Sequence, residues 1–262
     1  MARDVDAAPV AWREAGEGPV VLYLHGLGMT RTGWDAQLEG LADAYRGVAW
    51  DLPGYGASAP LDALSLEAAA DSAAALVELL GGSAHIVGMS MGGMIALQLA
   101  LRHPACVRSL ALVDTSPAFG LDGTDPDAWR AARLAPLDAG AQIEDFAEPV
   151  LRGVMAPDPD PGAVATAVAS MLRVPIAGLR QSIAALPAHD VRARLGEIAA
   201  PTLVVVGELD EETPPSYAEA LAAGIPGARL AVIPGAGHLT PFEAPDALTA
   251  LLRGHLDAVE AA

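Results

Sequence analysis

The chain has 262 residues, 52% of them hydrophobic, with 15 Lys+Arg against 33 Asp+Glu and a formal net charge of -18. That is enough apolar material for one large α/β domain or two small ones. The negative charge repels phosphate backbones and anionic lipid surfaces, which argues against nucleic-acid or membrane partners.

Every basic residue is arginine, so chemistry that needs a lysine is excluded: Schiff bases, pyridoxal phosphate and the Walker A phosphate loop. The first ten residues, MARDVDAAPV, carry acids where a signal peptide needs an apolar run, and no apolar stretch reaches membrane-spanning length. A cytoplasmic protein is expected. The single cysteine, Cys106, forms no intrachain disulfide, no Cys/His spacing resembles a zinc site, and Cys106 reads as a small apolar residue at the start of a strand.

In chain order, β-branched runs predict strands at Val20 to Leu24, Gly47 to Trp50, His85 to Gly88, Ser109 to Val113, Leu203 to Gly207 and Arg229 to Ile233. Helical spacing predicts a helix that starts at Ser65 and stops at Gly81-Gly82, and others over Pro214 to Gly224 and Ala244 to Leu256. The alternation implies a mostly parallel sheet with helices on both faces. From Phe119 to His189 no strand pattern occurs, while Pro, Asp and Ala are dense. We read residues 119–189 as a helical cap over the carboxyl edge of the sheet, and 1–118 with 190–262 as the core domain.

Residues 85 to 94, HIVGMSMGGM, run from strand through a sharp turn into helix, with Ser90 at the turn. Such a turn holds its central residue in a sparsely allowed backbone region, and glycines at 88 and 92 make room for it. The hydroxyl of Ser90 is then presented above the sheet edge, and the N–H of Met91 faces the oxygen of an attacked carbonyl. A second donor, the N–H of Leu27, is expected in HGLGMTRTGW after the first predicted strand; His25 there reads as a residue that orders the loop.

A serine hydroxyl needs a general base. Of six histidines, His238 in IPGAGHLTPFEAP follows a strand in a glycine-rich loop and is the favoured base, with His189 its rival. His85, His103 and His255 fall at the far end of a strand, at a helix end and within the last helix. The acid that orients the imidazole is expected at Asp210, in LVVVGELDEETPP, with Asp114 in LALVDTS as the competing carboxylate.

The order Ser90, Asp210, His238, together with the HG loop, DLPGYGAS at 51 to 58, GMSMGG, GELDEETPP and GAGHLTPFEAP, resembles the α/β-hydrolase family over about residues 10 to 257. The resemblance implies the α/β-hydrolase fold, an eight-stranded sheet under a helical cap, although the amino end is short for the family's first strand. It implies Ser90 as nucleophile, His238 as base and then acid, Asp210 as orienting acid, and the Leu27 and Met91 N–H groups as oxyanion donors.

Within the family, HGLGMTRTGW, SMGGM and AEALAAGIPGARL are similar to 3-oxoadipate enol-lactonases and small carboxylesterases. The resemblance therefore implies a serine hydrolase for a carboxylic ester or lactone, a small-molecule substrate, and no metal or organic cofactor; formation of a homo-oligomer stays open. Arginines Arg130, Arg133, Arg152, Arg173 and Arg180 of the cap are expected in surface ion pairs, with binding of a substrate carboxylate as the alternative. Two other readings use the same residues: a C–C hydrolase, recognised by faster turnover of diketones than of esters, and a non-hydrolytic lyase or ligand-binding protein, recognised by binding without an acyl-enzyme.

Overall fold

The structure, a computed structural model, describes residues 2–6 and 9–262. Its elements in order are β1 (Arg3–Val5), β2 (Trp12–Ala15), β3 (Val20–Leu24), α1 (Asp35–Leu41), β4 (Arg46–Trp50), α2 (Leu66–Leu80), β5 (Ala84–Met89), α3 (Met91–Arg102) and β6 (Val107–Val113). Four helices follow: α4 (Pro126–Asp138), α5 (Ile143–Val154), α6 (Pro161–Met171) and α7 (Ile176–Ala185). The chain ends with β7 (Thr202–Gly207), α8 (Pro215–Gly224), β8 (Arg229–Ile233), α9 (Thr240–Glu243) and α10 (Pro245–Glu260).

All eight strands form one sheet in the order β1-β2-β4-β3-β5-β6-β7-β8. The β1–β2 and β2–β4 pairs are antiparallel and the remaining pairs parallel. The central strands β3 and β5 to β7 are buried almost throughout, as strands covered on both faces must be. Among the described residues no single helix is long and apolar enough to cross a membrane.

Four elements are invisible to pattern reading: β1, β2, α1 and the short α9. The β2 segment WREA looks like a polar stretch, yet Glu14 is buried there because Arg46 and Arg3 bind its carboxylate and the Trp12 indole N–H donates to it. The family's first strand is present after all, reduced to the three residues of β1. The α2 helix starts where Ser65 Oγ accepts the Ala68 N–H at 3.1 Å and ends at Gly81, with φ of 129°. Cys106 lies in the turn just before β6, not in the strand, and is buried.

The helices α4 to α7 enter and leave the core at one neck. There Ala118 and Asp190 pair as an antiparallel bridge, with the Phe119 N–H donating to His189 O at 2.8 Å and the Val191 N–H to Pro117 O at 2.9 Å.

Candidate active site

The turn after β5 places Ser90 at φ 53° and ψ -122°, a left-handed conformation costly for a residue with a Cβ. The flanking glycines have a sharper reason than room for the turn. A Cβ on Gly88 would stand 2.3 Å from Gly92 O, and one on Gly92 would stand 2.1 Å from Leu24 O. The strand end, the helix start and the end of β3 thus touch backbone to backbone. Gly93, which pattern reading passed over, is as constrained: its Cβ would meet the Thr115 side chain at 2.6 Å.

Around Ser90 the chain brings together residues separated by up to 148 positions. His238 Nε2 lies 3.0 Å from Ser90 Oγ, and His238 Nδ1 lies 2.9 Å from Asp210 Oδ2. Asp210 also accepts the N–H groups of Glu212 and Thr213 at Oδ1 and the Thr213 hydroxyl at Oδ2, at 2.8 to 2.9 Å. A carboxylate in this setting only accepts, so Nδ1 carries the imidazole proton and the Nε2 lone pair faces the Ser90 hydroxyl. Burial acts to lower the His238 pKa, but the charge and hydrogen bond of Asp210, with Asp114 and Glu212 behind it, outweigh burial and raise it.

His189, the rival base, is buried with Nε2 3.2 Å from Ser116 O, and burial pushes its pKa down to about 4. It does not reach Ser90 by any hydrogen bond among the described residues. Asp114, the competing carboxylate, lies behind the site: it binds Gly207 and Thr240, not the imidazole.

Leu27 follows β3 and Met91 is the first residue of α3, where helical N–H groups have no intrahelical acceptor. Neither N–H donates to a protein acceptor among the described residues. The loop that carries Leu27 is held against Ser90; a Cβ on Gly26 would lie 3.2 Å from Ser90 Cβ. His25 fixes this loop. Its Nε2 accepts the Leu52 N–H at 3.0 Å, so its Nδ1 must donate to Gly26 O, also at 3.0 Å, and burial lowers its pKa to keep it neutral. Here the DLPGYGAS stretch finds its use: Asp51 accepts the N–H groups of Arg31 and Ala57, and Ser58 ties Asp51 O to the Ala11 N–H.

Two polar residues that sequence reasoning missed hold the other side. Glu243 accepts the N–H groups of Gly237 and Leu239, the neighbours of His238, and that of Ala156 beyond α5, at 2.8 to 3.1 Å. Thr213 saturates Asp210. The available signals are a Thr three residues after Asp210, typical of a side-chain-capped turn, and a Glu five residues after His238.

Ser90 and His238 open into a cavity of about 460 Å³. Most of its wall is apolar, including Met94, Phe146, Leu151, Met171, Leu179 and Ile183; its polar side carries Asp122, Arg133, Glu211 and Glu212. Of the cap arginines, Arg130, Arg152 and Arg180 pair with Asp127, Glu148 and Asp138 on the outside. Arg133 alone among the five lines the cavity, stacked 4.1 Å over the Trp129 ring and 3.6 Å from Glu212. Among the described residues no group of three or more His, Cys, Asp or Glu is placed to hold a metal ion.

An eight-stranded, mostly parallel sheet with a serine on the strand–helix turn of β5 defines a class, and comparison with known proteins agrees. Residues 21–251 match the Alpha/beta hydrolase family, and the chain belongs to it. A pimeloyl-[acyl-carrier protein] methyl ester esterase of Chromobacterium violaceum is 37% identical over 234 residues, covering 87% of this chain and 89% of that one. A thermophilic esterase from Thermogutta terrifontis superposes with a TM-score of 0.87 at 30% identity, over 99% of both chains. The enol-lactonase from Burkholderia xenovorans gives 0.85 at 25% identity, over 97% of this chain and all of that one.

Proposed function

We propose that this alpha/beta hydrolase cleaves carboxylic esters or lactones of small molecules through a covalent acyl-serine, with Ser90, His238 and Asp210 as a catalytic triad. The observation that carries the reading is the hydrogen-bonded series Ser90 Oγ, His238 Nε2, His238 Nδ1, Asp210 Oδ2, at 3.0 and 2.9 Å. His238 takes the Ser90 proton as Oγ attacks the carbonyl carbon; the imidazolium so formed is stabilised by Asp210. The Leu27 and Met91 N–H groups, without a protein acceptor among the described residues, receive the oxyanion, and each such donor is typically worth about a hundredfold to a thousandfold in rate. Collapse of the tetrahedral intermediate expels the alcohol, which takes its proton from His238. Water, deprotonated by the same imidazole, then releases the acid.

The segment 119–189 serves as the cap that closes the pocket over the bound acyl group. Its apolar lining favours an uncharged hydrocarbon acyl chain, buried against Met171, Leu179 and Ile183. The names of the esterase and lactonase relatives support the same bond type.

The test is direct. Ser90→Ala should abolish turnover of p-nitrophenyl acetate and labelling by a fluorophosphonate while the fold is kept. Persistence of both in the variant removes Ser90 from the mechanism. A screen over acyl lengths and lactone ring sizes then identifies the substrate class.

A further inference from the structure

A second carboxylate lies behind the His238–Asp210 pair, and the reaction as described does not use it. Asp114 follows β6, is fully buried, and is held at φ 45°. Its Oδ1 accepts the N–H of Gly207, the last residue of β7, at 3.0 Å. Its Oδ2 accepts the N–H of Thr240 at 3.2 Å and the Thr240 hydroxyl at 2.6 Å, two residues beyond His238. The Asp114 N–H itself donates to Val205 O at 2.9 Å. One side chain therefore joins the carboxyl ends of two neighbouring strands to the loop that bears the imidazole.

We propose that Asp114 is a positioning residue, a clamp that fixes His238 over Ser90 through Thr240 and the end of β7. The proposal rests on the serine-hydrolase reading above. A left-handed non-glycine residue and a buried carboxyl each cost free energy, and they persist only where the surroundings over-determine them. The loop is then gripped from two sides: Asp114 holds it beneath by Thr240, and Glu243 holds it by the N–H groups of Gly237 and Leu239. An amide cannot replace this carboxyl without loss, because main-chain N–H groups approach both of its oxygens and one would face the amide's own hydrogens.

The groups that face Asp114 are Asp210 and His238; those that face His238 are Asp210, Asp114 and Glu212. Burial, reinforced by the charge of Asp210, raises the Asp114 pKa, and negative charge on Asp114 raises that of His238. Where the Asp114 carboxyl is ionised, its removal therefore has an electrical consequence as well as a mechanical one: the imidazole loses its proton at lower pH.

The experiment compares Asp114→Asn, Thr240→Val and Thr240→Ser by kcat, KM and the pH profile of kcat/KM on a p-nitrophenyl ester. Asp114→Asn and Thr240→Val should lower kcat about tenfold or more with KM within about twofold, since a small misplacement of a base costs rate and not binding. Asp114→Asn should also move the acidic limb to lower pH by roughly half a unit. Thr240→Ser, which keeps the hydroxyl, should retain turnover within about threefold of the parent. Unchanged kcat and an unmoved limb in folded Asp114→Asn and Thr240→Val overturn the clamp. If Asp114→Asn does not fold, the Thr240 pair decides alone: a loss confined to Thr240→Val supports the clamp, and equal turnover of the two overturns it. Activity that survives Ser90→Ala instead sinks the underlying reading, whatever the Thr240 variants do.

Discussion

Gly92→Ala and Gly254→Ala are the same chemical change, and the structure gives them opposite signs. Gly92 lies in the first turn of α3, and a Cβ there would stand 2.1 Å from Leu24 O and 2.7 Å from His25 O, where ordinary contact begins at 3.4 Å. The two backbones would have to part by about 1 Å, against sheet bonds that register Leu24 with Gly88. Overpacking of this kind costs typically about 1–3 kcal/mol, and with main chain on both sides the upper end applies. The helical preference of Ala over Gly returns at most about 1 kcal/mol, so Gly92→Ala should destabilise by about 2 kcal/mol or more. Gly254 is exposed on α10 with nothing within 4 Å of its added Cβ, so the gain of up to about 1 kcal/mol stands unopposed. Urea unfolding of both variants reads the difference. Gly92→Ala as stable as the parent, or Gly254→Ala less stable by about 1 kcal/mol, would refute the claim that close backbone approach, not turn flexibility, explains the elbow glycines.

Asp210→Asn should reduce kcat by about a thousandfold to ten-thousandfold with little change in KM, since the amide holds the wrong imidazole tautomer; a larger loss in Asp114→Asn than in Asp210→Asn would reverse the assignment of the acid. As the proposed base, His238 must be neutral to accept the Ser90 proton; since its pKa is raised, kcat/KM should rise with pH with its midpoint above the ordinary histidine value of 6.5, and a midpoint below 6.5 contradicts the charge arrangement described. His189 is buried neutral with its pKa pushed down to about 4, so below pH 6.5 the unfolded chain binds its proton more readily; stability should be lost as pH falls from 6.5 towards 4, by roughly 3 kcal/mol at most, and His189→Gln should flatten that loss in denaturant titrations. Val150 lines the cavity from an exposed position on α5, so Val150→Trp should depress kcat/KM for long-chain p-nitrophenyl esters at least about tenfold relative to acetate; an unchanged chain-length profile would place the acyl chain elsewhere.

Pattern reading recovers six strands of the sheet to within two residues at each end, because short apolar runs between turn signals carry a strong local signal; β3 and β5 to β7 are buried on both faces, whereas the edge strand β8 is mostly exposed. It failed at β2, where Glu14 and Arg13 hide a strand whose acid is buried only because Arg3 and Arg46, distant in sequence, come to meet it. It also chose among histidines by loop context alone. The structure adds what context lacks: Ser90, Asp210 and His238 in one hydrogen-bonded line, and His189 turned to Ser116 O.

Read alone, the sequence settles local features, which residues a few positions apart set: the strand–turn–helix around Ser90, the alternation of strands and helices, and the helical character of the 119–189 segment; its composition adds that no lysine is present. What only the tertiary structure decided was long-range. Gly88 and Gly92 are required by Gly92 O and Leu24 O, Asp114 binds Gly207 and Thr240, and Glu243 and Thr213 buttress the His238 loop and Asp210. Such contacts join residues from different strands and loops at the edge of one sheet. Their energy depends on distances of a few ångströms that no spacing along the chain encodes.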